Sequence, residues 1–135
     1  MALPNKVFVY GTLKTGGSIR GLDQFGPDHA VIVNRATTLY PDYDMLDLGS
    51  FPGVVKNGTY KIQGEVWEVS DEAMEQLDMI EGYPDFYKRE ETLTTAGPDK
   101  AWMYYLTRDA WTGLKDSDDS PQIDIINDEV KQWNN

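Results

Sequence analysis

Glu81 is an acid at a position where an apolar side chain is expected. It stands four residues after Leu77 and seven after Met74, so in a helix opened by Ser70 it shares their face. At about 100° per residue it falls inside the stripe of Ala73, Met74, Leu77 and Ile80, whereas Asp71, Glu72, Glu75 and Asp78 point elsewhere and can face water. A carboxyl beside an apolar wall is costly to ionise. Its pKa rises above the usual ~4, which makes it a better proton shuttle near neutrality. Three milder fates are also open to a glutamate at a helix end: a bond to nearby backbone, a pairing with Lys88 or Arg89, or fraying into solvent.

The second candidate is the turn Tyr10-Gly11-Thr12-Leu13, which ends the short β-rich run Lys6-Val7-Phe8-Val9-Tyr10. Gly11 permits a sharp turn and a close approach of backbone to a ligand, and successive N–H groups there can form a nest for a carboxylate. An ordinary turn would read the same way.

The elements that must position these residues follow from local signals. A strand is predicted over 30–38, with Val31 and Val33 on one face. Asn57-Gly58 predicts a two-residue hairpin turn between Val54-Val55 and Tyr60-Lys61-Ile62. The strand over 61–69 places Ile62, Gly64, Val66 and Glu68 on one face and Glu65, Trp67 and Val69 on the other. Ser70 caps the helix, Asp71 and Glu72 suit its positive end, and Gly82 and Pro84 stop it. Residues 86–95 and 101–106 read as paired strands around Gly97-Pro98-Asp99, where Tyr104 or Tyr105 faces the interior according to register. In the tail, Ser120, Pro121 and the spacing of Ile123, Ile126, Val130 and Trp133 predict a second helix. Strands do not alternate with helices, which disfavours a doubly wound parallel sheet and favours a curved or closed, largely β domain with helices outside.

Composition narrows the function classes. The 135 residues suit one domain with a real core, here taken as 1–135 with an acidic segment and helix from about 116. A formal charge of −11 repels phosphate backbones and anionic membranes, so neither nucleic acid nor membrane is an expected partner. The lack of cysteine removes thiolate catalysis, disulfides and cysteine–zinc sites, and together with the absence of a signal-peptide layout it fits a cytoplasmic protein, expected as a monomer. Asp42, Asp44 and Asp47 have no metal-ligand spacing and the chain has one histidine, so neither metal nor cofactor is expected. The four Trp and eight Tyr could instead serve an interaction surface, although several lie in predicted strands where packing is the commoner role.

Several motifs in order resemble the γ-glutamylcyclotransferase-like family, and in particular its small γ-glutamylamine cyclotransferase branch. They are Val7-Phe8-Val9-Tyr10-Gly11-Thr12-Leu13-Lys14, Phe51-Pro52-Gly53-Val54-Val55, Gly64-Glu65-Val66-Trp67-Glu68-Val69, Leu77-Asp78 with Glu81-Gly82, and Tyr87-Lys88-Arg89. The likeness runs with gaps over 7–107. Thr15-Gly16-Gly17-Ser18-Ile19-Arg20 stands where family members often carry an Asn-His pair, and the tail beyond Leu114 has no evident counterpart.

The resemblance implies an α+β fold, a small mixed β-barrel core with a few helices packed outside. It implies that Tyr10, Gly11, Thr12 and Leu13 line a cavity for a γ-glutamyl group, that Tyr87 walls it, and that Glu81 is the general acid–base. The expected reaction is intramolecular aminolysis, releasing 5-oxoproline and a free amine without a cofactor. The alternative is a non-catalytic protein that keeps the cavity to bind a small ligand.

Overall fold

The computed structural model describes residues 3–11, 25–47, 52–83, 85–107, 123–126 and 130–133. Among these, nine strands and one helix run in the order β1 (Asn5–Val9), β2 (Ala30–Thr37), β3 (Tyr43–Asp47), β4 (Pro52–Lys56), β5 (Lys61–Val69), α1 (Asp71–Ile80), β6 (Lys88–Thr94), β7 (Gly97–Tyr105), β8 (Ile123–Ile126) and β9 (Val130–Trp133). A seven-stranded mixed sheet has the order β6-β7-β1-β5-β9-β8, with β2 also paired to β5, and β3 and β4 form a separate hairpin. The β1–β7 and β5–β9 pairs are parallel. A bridge between Thr38 and Thr94 draws β2 towards β6, helped by the Leu39 N–H bond to Leu93 O (3.0 Å) and the Thr95 N–H bond to Thr37 O (2.9 Å). The sheet thereby curls into a half-barrel carrying one helix, in line with the expected architecture.

The central strand β5 is buried on both faces, which explains why its apolar residues do not simply alternate. Ile62 and Val66 pack with Phe8, Met45, Val54 and Met103 on one side. Trp67 and Val69 pack with Val7, Val9 and the Ala73, Met74 and Leu77 face of α1 on the other. Ser70 caps α1 by accepting the Ala73 N–H bond at 3.1 Å. The helix closes at Gly82, whose φ of +66° suits glycine. There the Gly82 N–H bonds to Met79 O (3.2 Å) and the Tyr83 N–H to Asp78 O (2.9 Å).

Three expectations are corrected. Asn57 adopts a turn conformation (φ +66°), but β4 pairs back with β3 and not forward with β5, so Asn57-Gly58 links strands that are not hairpin partners. Val31, Ile32 and Val33 all stay partly exposed, because a register shift between Ile32 and Asn34 breaks the alternation of β2. The described tail residues are not helical: β8 and β9 form an antiparallel hairpin that adds to β5, and α1 is the sole helix among the described residues.

That hairpin is fastened by a fully buried Lys131, whose Nζ lies 2.6 Å from Asp44 Oδ1 and 4.3 Å from the Tyr60 ring centre. Removing the partner of a buried charge costs more than removing the charge itself. Asp44→Ala is therefore expected to lose about 3 kcal/mol in urea unfolding, and Lys131→Met clearly less, since Asp44 reaches solvent. Equal losses would contradict this asymmetry.

Candidate active site

Glu81 is the C-cap residue of α1, and its N–H bonds to Leu77 O at 2.9 Å. The apolar stripe beneath it is buried at Ala73, Met74 and Leu77 as expected, but Ile80 is exposed. As a residue Glu81 is partly exposed, whereas its carboxyl is desolvated enough to push its pKa up to about 7.

Three phenols feel the charge of that carboxyl. Burial pushes Tyr10, Tyr87 and Tyr104 up, and the Glu81 charge adds to the shift of each. All three remain neutral O–H donors throughout the physiological range. The Tyr10 hydroxyl donates to the Tyr104 carbonyl at 2.9 Å, which fixes the end of β1 against β7. Tyr87, almost fully buried, meets the Phe86 ring edge-on at 5.0 Å, and its N–H makes a long 3.4 Å bond back to Glu81 O.

The structure thus brings Glu81, Tyr10 and Tyr87 together, with Gly11 buried at the end of β1. Thr12 and Leu13 lie outside the described residues. Tyr104 joins the group once the β6–β7 register pairs it with Arg89. Asp78, expected to face water, instead accepts the Tyr104 hydroxyl at 2.7 Å and lies 3.2 Å from Arg89 Nε. Arg89, considered above as a partner for Glu81, is taken by Asp78. The wheel contained the clue to Asp78, which follows buried Met74 by four residues and precedes Glu81 by three. Among the described residues no group of three or more His, Cys, Asp or Glu is arranged to hold a metal.

A carboxyl titrating near neutrality amid neutral donors can take up and return a proton without help from another charge. The same geometry burdens stability. The folded state holds the Glu81 proton more tightly than the unfolded chain, so stability falls as pH rises from about 4.5 to about 7 and then levels off. Glu81→Gln is expected to be more stable than wild type at pH 8, by about 2 kcal/mol after allowing for partial exposure. The two should coincide at pH 4. A constant gap in urea unfolding across that range would contradict the burial of this carboxyl.

Comparison with known proteins identifies the family and the fold. The family model described as "Gamma-glutamyl cyclotransferase, AIG2-like" matches residues 7–131, so the likeness covers β8 and reaches into β9. A Vibrio cholerae protein provisionally named as a γ-glutamylcyclotransferase is 38% identical over 98 residues, covering 73% of this chain and 78% of that protein. The bovine γ-glutamylaminecyclotransferase is 36% identical over 91 residues, covering 62% of this chain and 52% of its own. A crystal structure of a mouse AIG2-like protein superposes with a TM-score of 0.65 at 22% identity, covering 75% of this chain and 76% of the other, a likeness of fold.

Proposed function

The chain belongs to the γ-glutamyl cyclotransferase, AIG2-like family, and from that premise we propose that it converts a small γ-glutamyl amine or dipeptide into 5-oxoproline and the free amine. The observation that carries this reading is the buried Glu81 carboxyl at the end of α1, its pKa pushed up to about 7 by desolvation and its charge acting on three neutral tyrosines. Glu81 as carboxylate takes a proton from the substrate α-ammonium. The freed nitrogen attacks the γ-carbonyl carbon and closes the lactam ring, and the C–N bond to the departing amine then breaks. The attacking nitrogen sheds two protons and the departing amine gains two on leaving as an ammonium, so one carboxyl with solvent can balance the exchange.

Because nucleophile and electrophile share one molecule, positioning supplies much of the rate, with effective molarities that can reach roughly 10⁵–10⁸ M. In this reading Tyr10, Gly11, Thr12 and Leu13 hold the γ-glutamyl moiety, partly through backbone N–H groups, and Tyr87 forms a wall. The neutral phenols place no charge against the developing oxyanion, the Tyr10 and Tyr104 hydroxyls being bonded to the Tyr104 carbonyl and to Asp78.

The test is a panel of γ-glutamyl amines and dipeptides incubated with the protein and analysed by mass spectrometry. The expected result is 5-oxoproline and free amine in equal amounts from at least one class. Ligand binding with no turnover across the panel would instead identify a receptor that keeps the family cavity.

A further inference from the structure

Asp78 and Arg89, which the reaction scheme leaves unused, form a cluster with Tyr104. The Tyr104 hydroxyl donates to Asp78 Oδ1 at 2.7 Å, and Arg89 Nε approaches the same oxygen at 3.2 Å. The Arg89 guanidinium lies against two rings, 4.5 Å from the centre of Trp102 and 4.8 Å from that of Tyr83. Its Nε is buried without a hydrogen bond, so this ion pair is held by charge and stacking, not by an aligned N–H. Arg89 and Tyr104 are register partners on β6 and β7, and the Asp78 backbone carbonyl also closes the helix by accepting the Tyr83 N–H. One residue therefore ties the end of α1 to two strands, three positions before Glu81.

We propose that Asp78 is the positioning residue for Glu81, clamping the helix end to β6 and β7 through a charge-balanced pair with Arg89, so that the Glu81 carboxyl is held on the side of Tyr10, Tyr87 and Tyr104 with the two charges in balance. The balance matters because a lone Asp78 would tighten the Glu81 proton and a lone Arg89 would loosen it. Burial is the cause resolved for the Glu81 shift, with no contribution from either charge of the intact pair. The groups that feel the Glu81 charge are Tyr10 from β1, Tyr87 ahead of β6 and Tyr104 from β7, all neutral, and the Asp78–Arg89 pair from α1 and β6 meets the carboxyl's surroundings at the Tyr104 hydroxyl.

This inference rests on Glu81 being the proton-transferring group, yet its test does not need turnover. The Glu81 carboxyl is titrated by ¹³C NMR in glutamate-labelled protein, with Glu81→Gln identifying the signal. Asp78→Asn leaves Arg89 unbalanced, and the midpoint is expected to fall by about one pH unit. Arg89→Met leaves Asp78 unbalanced, and the midpoint is expected to rise by about as much. The double variant should return to within roughly 0.3 unit of wild type. A merely structural role would not give opposite shifts that cancel. Should Asp78→Asn fail to fold, the upward shift in Arg89→Met still decides the matter. Midpoints that stay put, or move the same way in both single variants, overturn the proposal. Absence of 5-oxoproline release in every variant while the midpoints move as stated would refute the cyclisation reading and leave the cluster's role standing.

Discussion

Glu81→Gln is expected to lower kcat for 5-oxoproline release by roughly 10²–10⁴-fold, the usual contribution of general acid–base catalysis. Glutamine keeps the length and shape of the side chain and loses only the ability to exchange the proton. KM should change little, because on this account the γ-glutamyl group is held mainly at Tyr10 to Leu13. The variant should also be at least as stable as wild type at neutral pH, since a costly buried ionisation is gone. Lost activity with retained stability would separate a catalytic from a structural role. A Glu81→Gln protein that releases 5-oxoproline at near-normal rates would remove the proposed proton-transferring residue.

The second large effect is expected at a residue that carries no side chain. Gly64 lies where β5 passes the end of β1, and a methyl group there would overlap the Val9 carbonyl oxygen, come within 2.9 Å of the Phe8 ring and within 3.1 Å of Tyr10 Cα. Phe8 is fully buried, so its ring has nowhere to go. Gly64→Ala must push β1 outwards. A loss of about 3 kcal/mol, or a Tm lower by about 10 °C, is expected from overpacking against backbone. The displaced segment carries Tyr10 and Gly11, so the folded fraction should also lose turnover. An unchanged Tm in differential scanning calorimetry would mean that this close approach is not needed.

The parts of the fold readable in sequence were those set by local chemistry. The β5 span, the Ser70 cap and the glycine that stops α1 depend on neighbours within a few residues, and the structure has them where expected. What escaped depends on distant partners. Asn57-Gly58 does turn the chain, but which strands pair is decided by β3 and by the curl of the main sheet. In the tail, Ile123, Ile126 and Val130 recur at spacings of three and four because they fall on two short strands, and that interval mimics a helix.

The site divides along the same line. Glu81 was legible because one helix face reports it, and Tyr10 because it ends a strand at a glycine. Tyr104 could not be chosen over Tyr105 until Arg89 was known to lie opposite it across β6 and β7. Asp78 escaped because a helix wheel shows direction and not the arginine and tyrosine arriving from other strands. The buried Lys131 is a further case: nothing in the neighbouring sequence announces a lysine whose carboxylate partner lies 87 positions earlier.

The most direct measurement is the pH dependence of kcat/KM for 5-oxoproline release by the wild-type protein, which reports the ionisation of the unliganded site. If the carboxyl among the three tyrosines is the base, activity falls on acidification through a single ionisation at about pH 7, tenfold per unit below it. A profile that stays flat down to pH 5 would show that no group with this elevated ionisation takes the proton.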